Sequence, residues 1–169
     1  PSKIAVGRSG VITISLDSRK LRDFGLSQTS VYLGLYPGDK VSADKEIPVS
    51  AVLLPDFRNM TDEAKAAAPR MQLSATTLEM GSFDGKKKKK AEITITNTGR
   101  TTLEISSIQM FTEGLQLSLS SKTLAPGATS KLKVTAIASE LKKVRTQPRI
   151  LMITNDPQNA KVSIAVNIK

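Results

Sequence analysis

Five consecutive lysines, Lys86 to Lys90, form the longest unbroken run of like charge in this sequence. Ammonium groups held that close repel one another and draw in anions, with an attraction that weakens steeply as salt rises. A second basic group, Lys142, Lys143, Arg145 and Arg149, lies further along, with Glu140 as the closest counter-charge. These nine cations are the candidate anion-binding residues. An anionic envelope glycan, a lipid headgroup and an acidic protein suit them equally well. Specific reading of single-stranded nucleic acid does not, because it needs aromatic platforms beside the cations. From residue 70 onward there is no Tyr or Trp, and of Phe83 and Phe111 the first is expected in the core. The plainer reading of a lysine run is a hairpin tip that keeps the protein soluble.

Other chemistry is thinly represented. With no Cys and no His, disulfides, thiol nucleophiles, imidazole acid–base catalysis and the usual zinc sites are all excluded. Asp39, Asp44 and Glu46 could offer oxygens to calcium, but they match no EF-hand spacing and read as a solvated loop. No catalytic, metal-ligating or cofactor-binding residue is assigned, and no enzyme activity is expected.

The elements that must carry the cations are set by charge and periodicity. Of the net charge of +10, the 9 Lys+Arg and 8 Asp+Glu of residues 1–68 account for +1, and the 16 and 7 of residues 69–169 for +9. That asymmetry suggests two units, with an anionic partner drawn to the second. The second unit alternates apolar and polar residues at Met71/Leu73, Leu78/Met80, Ala91/Ile93/Ile95, Leu103/Ile105, Leu115/Leu117/Leu119, Leu132/Val134/Ala136 and Val162/Ile164/Val166/Ile168. Period 2 marks half-buried strands. Ile150–Ile153 is apolar on both parities and should be the most buried strand. The third strand changes parity between Ile105 and Ile108, so a bulge near Ser106-Ser107 should return both Ile108 and Met110 to the core. About seven short strands with turns at Asn97-Thr98-Gly99, Glu113-Gly114, Pro126-Gly127 and Asn155-Asp156-Pro157 give an all-β, immunoglobulin-like sandwich over residues 70–169.

The first unit looks like part of a second copy. Shifted by 120, Ala5-Val6-Gly7 falls on Ala125-Pro126-Gly127, Ile12 on Leu132 and Ile14 on Val134; shifted by 115, Ile47, Val49, Ala51 and Leu53 fall on Val162, Ile164, Val166 and Ile168. With a strand at Val31-Leu33-Leu35 between them, residues 1–54 read as the C-terminal half of an Ig-like repeat, three strands long. Residues 55–69 form a linker with a short helix, capped at Asn59 or Thr61 and stopped at Pro69. A half-sandwich leaves apolar faces wet and edges unpaired, so a preceding segment or a partner chain should complete it, dimerisation by strand complementation included.

Strict alternation back from Ala91 would turn Lys89 and Lys87 inward. Because buried unpaired ammonium groups are prohibitively costly, the buried strand should begin near Ala91, with the lysines projecting past the end of the sandwich. Ig-like topology then brings the run, the Lys142–Arg149 group and Lys169 to one end. The linker enters at the other, so the basic end should point away from the first unit.

The run Ala91-Glu-Ile-Thr-Ile-Thr-Asn-Thr-Gly-Arg-Thr-Thr-Leu-Glu-Ile-Ser-Ser-Ile108 resembles the signature of Hydin/abnormal-spindle (ASH-type) Ig-like domains. Leu124-Ala-Pro-Gly127 and Ile153-Thr-Asn-Asp-Pro157 match that family's later landmarks. The linker Met60–Pro69 is similar to the spacer of a bacterial branch of tandem Ig-like envelope proteins. That branch often carries Cys-Gly-Cys where this sequence reads Met110-Phe111-Thr112. The resemblance implies a non-catalytic interaction or architectural module of the periplasm or cell envelope, contacting another protein or a repeat of its own chain. The alternative is a periplasmic-chaperone-like module that accepts a strand at an open edge. The longest aliphatic stretch, Ala51–Leu54, spans no bilayer. The chain opens on Pro1 without a signal peptide and is read as a mature form or a fragment.

Overall fold

The computed structural model describes residues 4–21, 23–110, 112–141 and 147–168. Two strands, β1 (Gly25–Tyr32) and β2 (Glu46–Leu53), pair antiparallel as a separate two-stranded sheet. The linker helix α1 (Asp62–Ala67) comes next, with the Thr61 hydroxyl accepting from Ala64 N at 3.2 Å as its N-cap. The expected helix is therefore present, and Thr61 rather than Asn59 caps it.

From Met71 onward the alternating pattern folds into two packed sheets. In chain order the strands are β3 (Met71–Leu73), β4 (Thr77–Gly81), β5 (Lys88–Asn97), β6 (Leu103–Met110), β7 (Leu115–Leu119), β8 (Thr123–Leu124), β9 (Thr129–Ile137), β10 (Arg149–Thr154) and β11 (Lys161–Ile168), with a one-turn helix α2 (Ala138–Leu141) after β9. One sheet has the order β3-β5-β9-β7 and the other β4-β11-β10-β6-β8. The first of the expected strands divides into β3 and β4, which changes sheets. Ser74 N still bonds Thr94 O at 2.9 Å, while Thr76 O already accepts from Ala165 N at 3.2 Å. The inward parity of both sheets forms one core around Ile93, Ile95, Leu103, Leu132, Val134, Ile150, Met152, Ile164 and Val166, all fully buried. Phe83 packs against it from outside the strands.

The bulge is present. Ile153 pairs with Ser107 and Thr154 with Ile105, which leaves Ser106 without a ladder partner. Ile108 returns to the core as expected, but Met110 at the strand end is 40% exposed. Strand β10 is the most buried, since Leu151 and Ile153 on its outward parity are covered along with Ile150 and Met152. Against that outward face lies β1. The Gln109 carboxamide imitates a strand neighbour there: Oε1 accepts from Leu26 N at 2.7 Å and Nε2 donates to Leu26 O at 3.3 Å. Gly25 (φ +115°) makes the approach possible, since a Cβ would come within 2.7 Å of both Gln109 Oε1 and Ser107 Oγ.

The front segment departs from expectation in three ways. Two strands form rather than three, because the alternating stretch Val11–Leu16 joins no sheet among the described residues. The expected strand through Leu33 and Leu35 ends at Tyr32, where Leu33 N turns to Lys45 O (2.9 Å) and Leu35 N to Asp39 Oδ2 (2.8 Å). The hairpin also folds back beside the sandwich instead of standing ahead of it. Gln109 faces Leu151 across the ladder, two residues from Arg149, so the basic end does not point wholly away from the first unit.

The family-like landmarks meet where the linker enters. Asn97 is fully buried: its Oδ1 accepts from Arg70 N (3.3 Å) and Gly99 N (3.0 Å), and its Nδ2 donates to Thr101 O (2.8 Å) and Leu124 O (2.9 Å). Asp156, also fully buried, accepts from Met71 N and Asn159 Nδ2 through Oδ2 and from Gln158 N through Oδ1, each at 2.8 Å. At Gly99 a Cβ would lie 2.4–2.5 Å from backbone atoms of Ala68, Pro69 and Arg70. These landmarks are a structural clasp on the incoming chain.

Candidate anion-binding end of the sandwich

The lysine run is strand as well as tip. Strand β5 begins at Lys88, with Lys88, Lys89 and Lys90 in ladder register with Ile137, Ala136 and Thr135 of β9. Ahead of it a tight turn, with Asp84 (φ 48°) and Gly85 (φ 79°) both left-handed, closes through Lys86 N to Phe83 O at 2.9 Å. The Lys87 carbonyl accepts from Ala138 N at 3.0 Å, which ties the run to the start of α2. The backbone under these cations is therefore fixed on both sides.

This corrects the expectation that burial begins at Ala91. Alternation carries through to Lys89, which is half-buried on the inward parity. Its ammonium escapes the desolvation penalty by donating to Met80 O at 2.6 Å, where β4 ends beside it, while its stem covers apolar surface. Lys89 is thus committed to the fold. Lys86, Lys87, Lys88 and Lys90 are exposed, and none of them forms an ion pair among the described residues.

Arg149 opens β10 in the other sheet, exposed and opposite Ala165. Because β5 starts, β9 ends and β10 starts at the same end of the sandwich, Arg149 and the lysine run share that end. Lys142, Lys143, Arg145 and Lys169 lie outside the described residues. Two further cations, Lys131 and Lys133, escape a search for charge runs because each stands alone between uncharged residues. They face outward on β9, on the same side of the sheet as Lys90; Lys131 is paired with Glu92 at 2.9 Å. Their signal was the outward parity of an otherwise ordinary strand.

The acidic candidates do not assemble. Asp39 takes Lys45 Nζ at 2.7 Å and Leu35 N, and Lys45 above all holds its carboxyl below the usual carboxylate range. Glu46 instead accepts from the Ser30 hydroxyl. Among the described residues no cluster of three Asp, Glu, His or Cys side chains could hold a metal ion, and no helix is long and apolar enough to cross a membrane.

No curated protein matches the chain. A solved protein of unknown function from Porphyromonas gingivalis W83 is similar over 86% of this chain, at 25% identity and a TM-score of 0.68. This chain spans 66% of that protein's length. The secreted serine protease VesC from Vibrio cholerae gives a TM-score of 0.41 at 12% identity, over 74% of this chain and 27% of its own. The family model for the HYDIN/CFA65/VesB-like Ig-like domain matches residues 69–167. It starts at the residues clasped by Asn97 and Asp156 and ends within β11. With the sandwich, its clasp and this match in agreement over more than half of the sequence, the chain belongs to the HYDIN/CFA65/VesB-like Ig-like domain family.

Proposed function

We propose that the chain is a non-catalytic interaction module whose lysine-rich end docks an anionic macromolecule, with the cell envelope as its setting. Membership of an Ig-like family and likeness to a bacterial protein of unknown function fit a module without turnover. The observation that carries the docking surface is Lys86, Lys87, Lys88 and Lys90, exposed on braced backbone with no carboxylate paired to them among the described residues. Arg149 extends the surface onto the second sheet, and Lys142, Lys143 and Arg145 belong to the connection between α2 and β10. Strand backbone presents ammonium groups as spaced point charges without a stacking partner, which suits a polyanion read by charge density rather than by sequence. The envelope setting rests on the sequence resemblance.

The test is retention on immobilised heparin. Replacing Lys86, Lys87, Lys88 and Lys90 together by Ala, with Lys89 kept for its bond to Met80, should move elution to clearly lower salt and leave thermal stability unchanged. Replacing Lys20, Lys40 and Lys45 should shift elution far less. Equal retention of the two variants would retire the docking surface.

A further inference from the structure

The two sheets carry different outer faces. On β10 the outward side chains Leu151 and Ile153 are buried, and β1 lies against that face. On the β3-β5-β9-β7 sheet the outward lysines of β5 and β9 are exposed, and the ladder fixes their arrangement. Lys88 and Lys90 stand opposite Ile137 and Thr135, and Glu92 and Thr94 stand opposite Lys133 and Lys131. At about 3.4 Å per residue the four lysines span roughly 20 Å lengthwise, within two strands about 4.8 Å apart. Glu92 is the only acid on β5, β7 and β9. Its carboxylate goes to Lys131 Nζ at 2.9 Å rather than to Lys133 directly across from it. Lys133 forms no ion pair among the described residues. Beside the lysines stand Thr94, Thr135 and Ser118, and none of the exposed large apolar side chains among the described residues lies on β5, β7 or β9.

We propose that this strip of Lys88, Lys90, Lys133 and Lys131 carries the docking surface onto the outer face of the sheet, and that its ligand is a linear anionic polysaccharide lying lengthwise along β5 and β9. The inference rests on the docking reading above and names the ligand class. A protein partner would need an apolar, lysine-poor centre to its interface, and this face has neither property. A nucleic acid held without sequence preference stacks its bases on aromatic rings, and β5, β7 and β9 contain none. Beside its charges the strip offers small hydroxyls, which donate to and accept from the hydroxyls of a sugar chain. A row of spaced point charges meets an extended polymer with an anion on successive units, and counterion release drives the contact. Glu92 works against such a ligand, because it adds a negative charge in the middle of the strip and occupies Lys131.

Titration of the full chain with a fluorescent oligogalacturonate, repeated over a range of salt, tests this. Lys133→Ala should weaken binding about threefold and reduce the slope of log affinity against log salt by roughly 0.7, the share of one contact. Lys161→Ala makes the same charge change at an exposed residue of the other sheet and should do neither. Glu92→Gln should tighten binding by a similar factor, since it frees Lys131 and removes the opposing anion. Oligoglutamate and oligothymidylate with the same number of charges should bind several-fold more weakly. Lys133→Ala and Glu92→Gln both binding like wild type would overturn the strip. The docking end would still stand if joint replacement of Lys86, Lys87, Lys88 and Lys90 by Ala lowered affinity, and would fall with the strip if it did not. Oligoglutamate or oligothymidylate bound as tightly as the polysaccharide, or no binding of the polysaccharide, would overturn the ligand class.

Discussion

Replacing Asn97 by Ala tests whether the linker clasp holds the sandwich together. The substitution removes four hydrogen bonds, to Arg70 N, Gly99 N, Thr101 O and Leu124 O. Arg70, Gly99 and Thr101 lie at the rim, where water can replace part of what is lost, so each bond costs about 1 kcal/mol. Leu124 is buried, and its carbonyl left without a donor costs about 1–3 kcal/mol. The total is roughly 4–6 kcal/mol, a large part of the ~5–15 kcal/mol that stabilises a domain. For a sandwich of this size that lowers the melting temperature by roughly 15–30 °C. Asn97→Asp sharpens the test because it keeps the volume and the two accepted bonds. Its second oxygen, however, would face the carbonyls of Thr101 and Leu124, acceptor against acceptor, with a buried charge added. Its carboxyl is then raised above the unfolded value, so the penalty is full above the raised value and is relieved as pH falls from there to the unfolded one. Calorimetry at neutral pH should find Asn97→Asp less stable than Asn97→Ala, with the gap narrowing in acid. Asn97→Asp as stable as Asn97→Ala at pH 7 would refute the donor role of Nδ2.

Two further outcomes are expected. Gly99→Ala places a methyl 2.4 Å from Arg70 N, where only backbone can yield; it should cost roughly 1–3 kcal/mol and speed protease cleavage between residues 60 and 70, whereas an unchanged melting curve would show that the close approach is slack. Asp56, bonded through its side chain to the Arg58 guanidinium and then to the Arg58 N–H, has its carboxyl lowered from 3.8 to about 2. Its contribution to stability is therefore present above pH 3.8 and lost as pH falls toward 2. Carboxyl NMR titration should place the midpoint there and return it to the ordinary range in Arg58→Ala; a midpoint unmoved by that substitution would exclude the pair as the cause.

Period 2 located the long strands of the second unit other than β10, because one face of each sheet meets the core and a slip of one residue would invert it; β10 was marked instead by apolar residues on both parities. Even the parity change in β6 announced its bulge. The two-residue β8 carries too little pattern to show, and the split between β3 and β4 depends on a change of sheet that alternation does not encode. Lys89 marks the limit of the desolvation argument. A long flexible stem lets an inward-facing lysine reach a carbonyl at the strand end, so charge alone did not set where β5 begins. In the front segment, pattern indicated which residues favour a strand but not whether a neighbour exists to pair with, as Val11–Leu16 shows. The clasp was visible only as turn chemistry, since the hydrogen bonds that Arg70 N donates to Asn97 and Met71 N donates to Asp156 join residues 27 and 85 apart.

The parallel pairing of β4 with β11 has a mechanical meaning. The second unit's backbone enters at Met71, beside Asn97, and leaves through Ile168 at the opposite end. A pull applied at the two ends of this unit would draw β4 and β11 lengthwise in opposing directions, loading the register from Thr77–Ala165 to Gly81–Ile168 all at once. Bonds sheared together resist far more force than bonds unzipped one by one. The same sandwich, turned so that its ends emerged from one side, would peel.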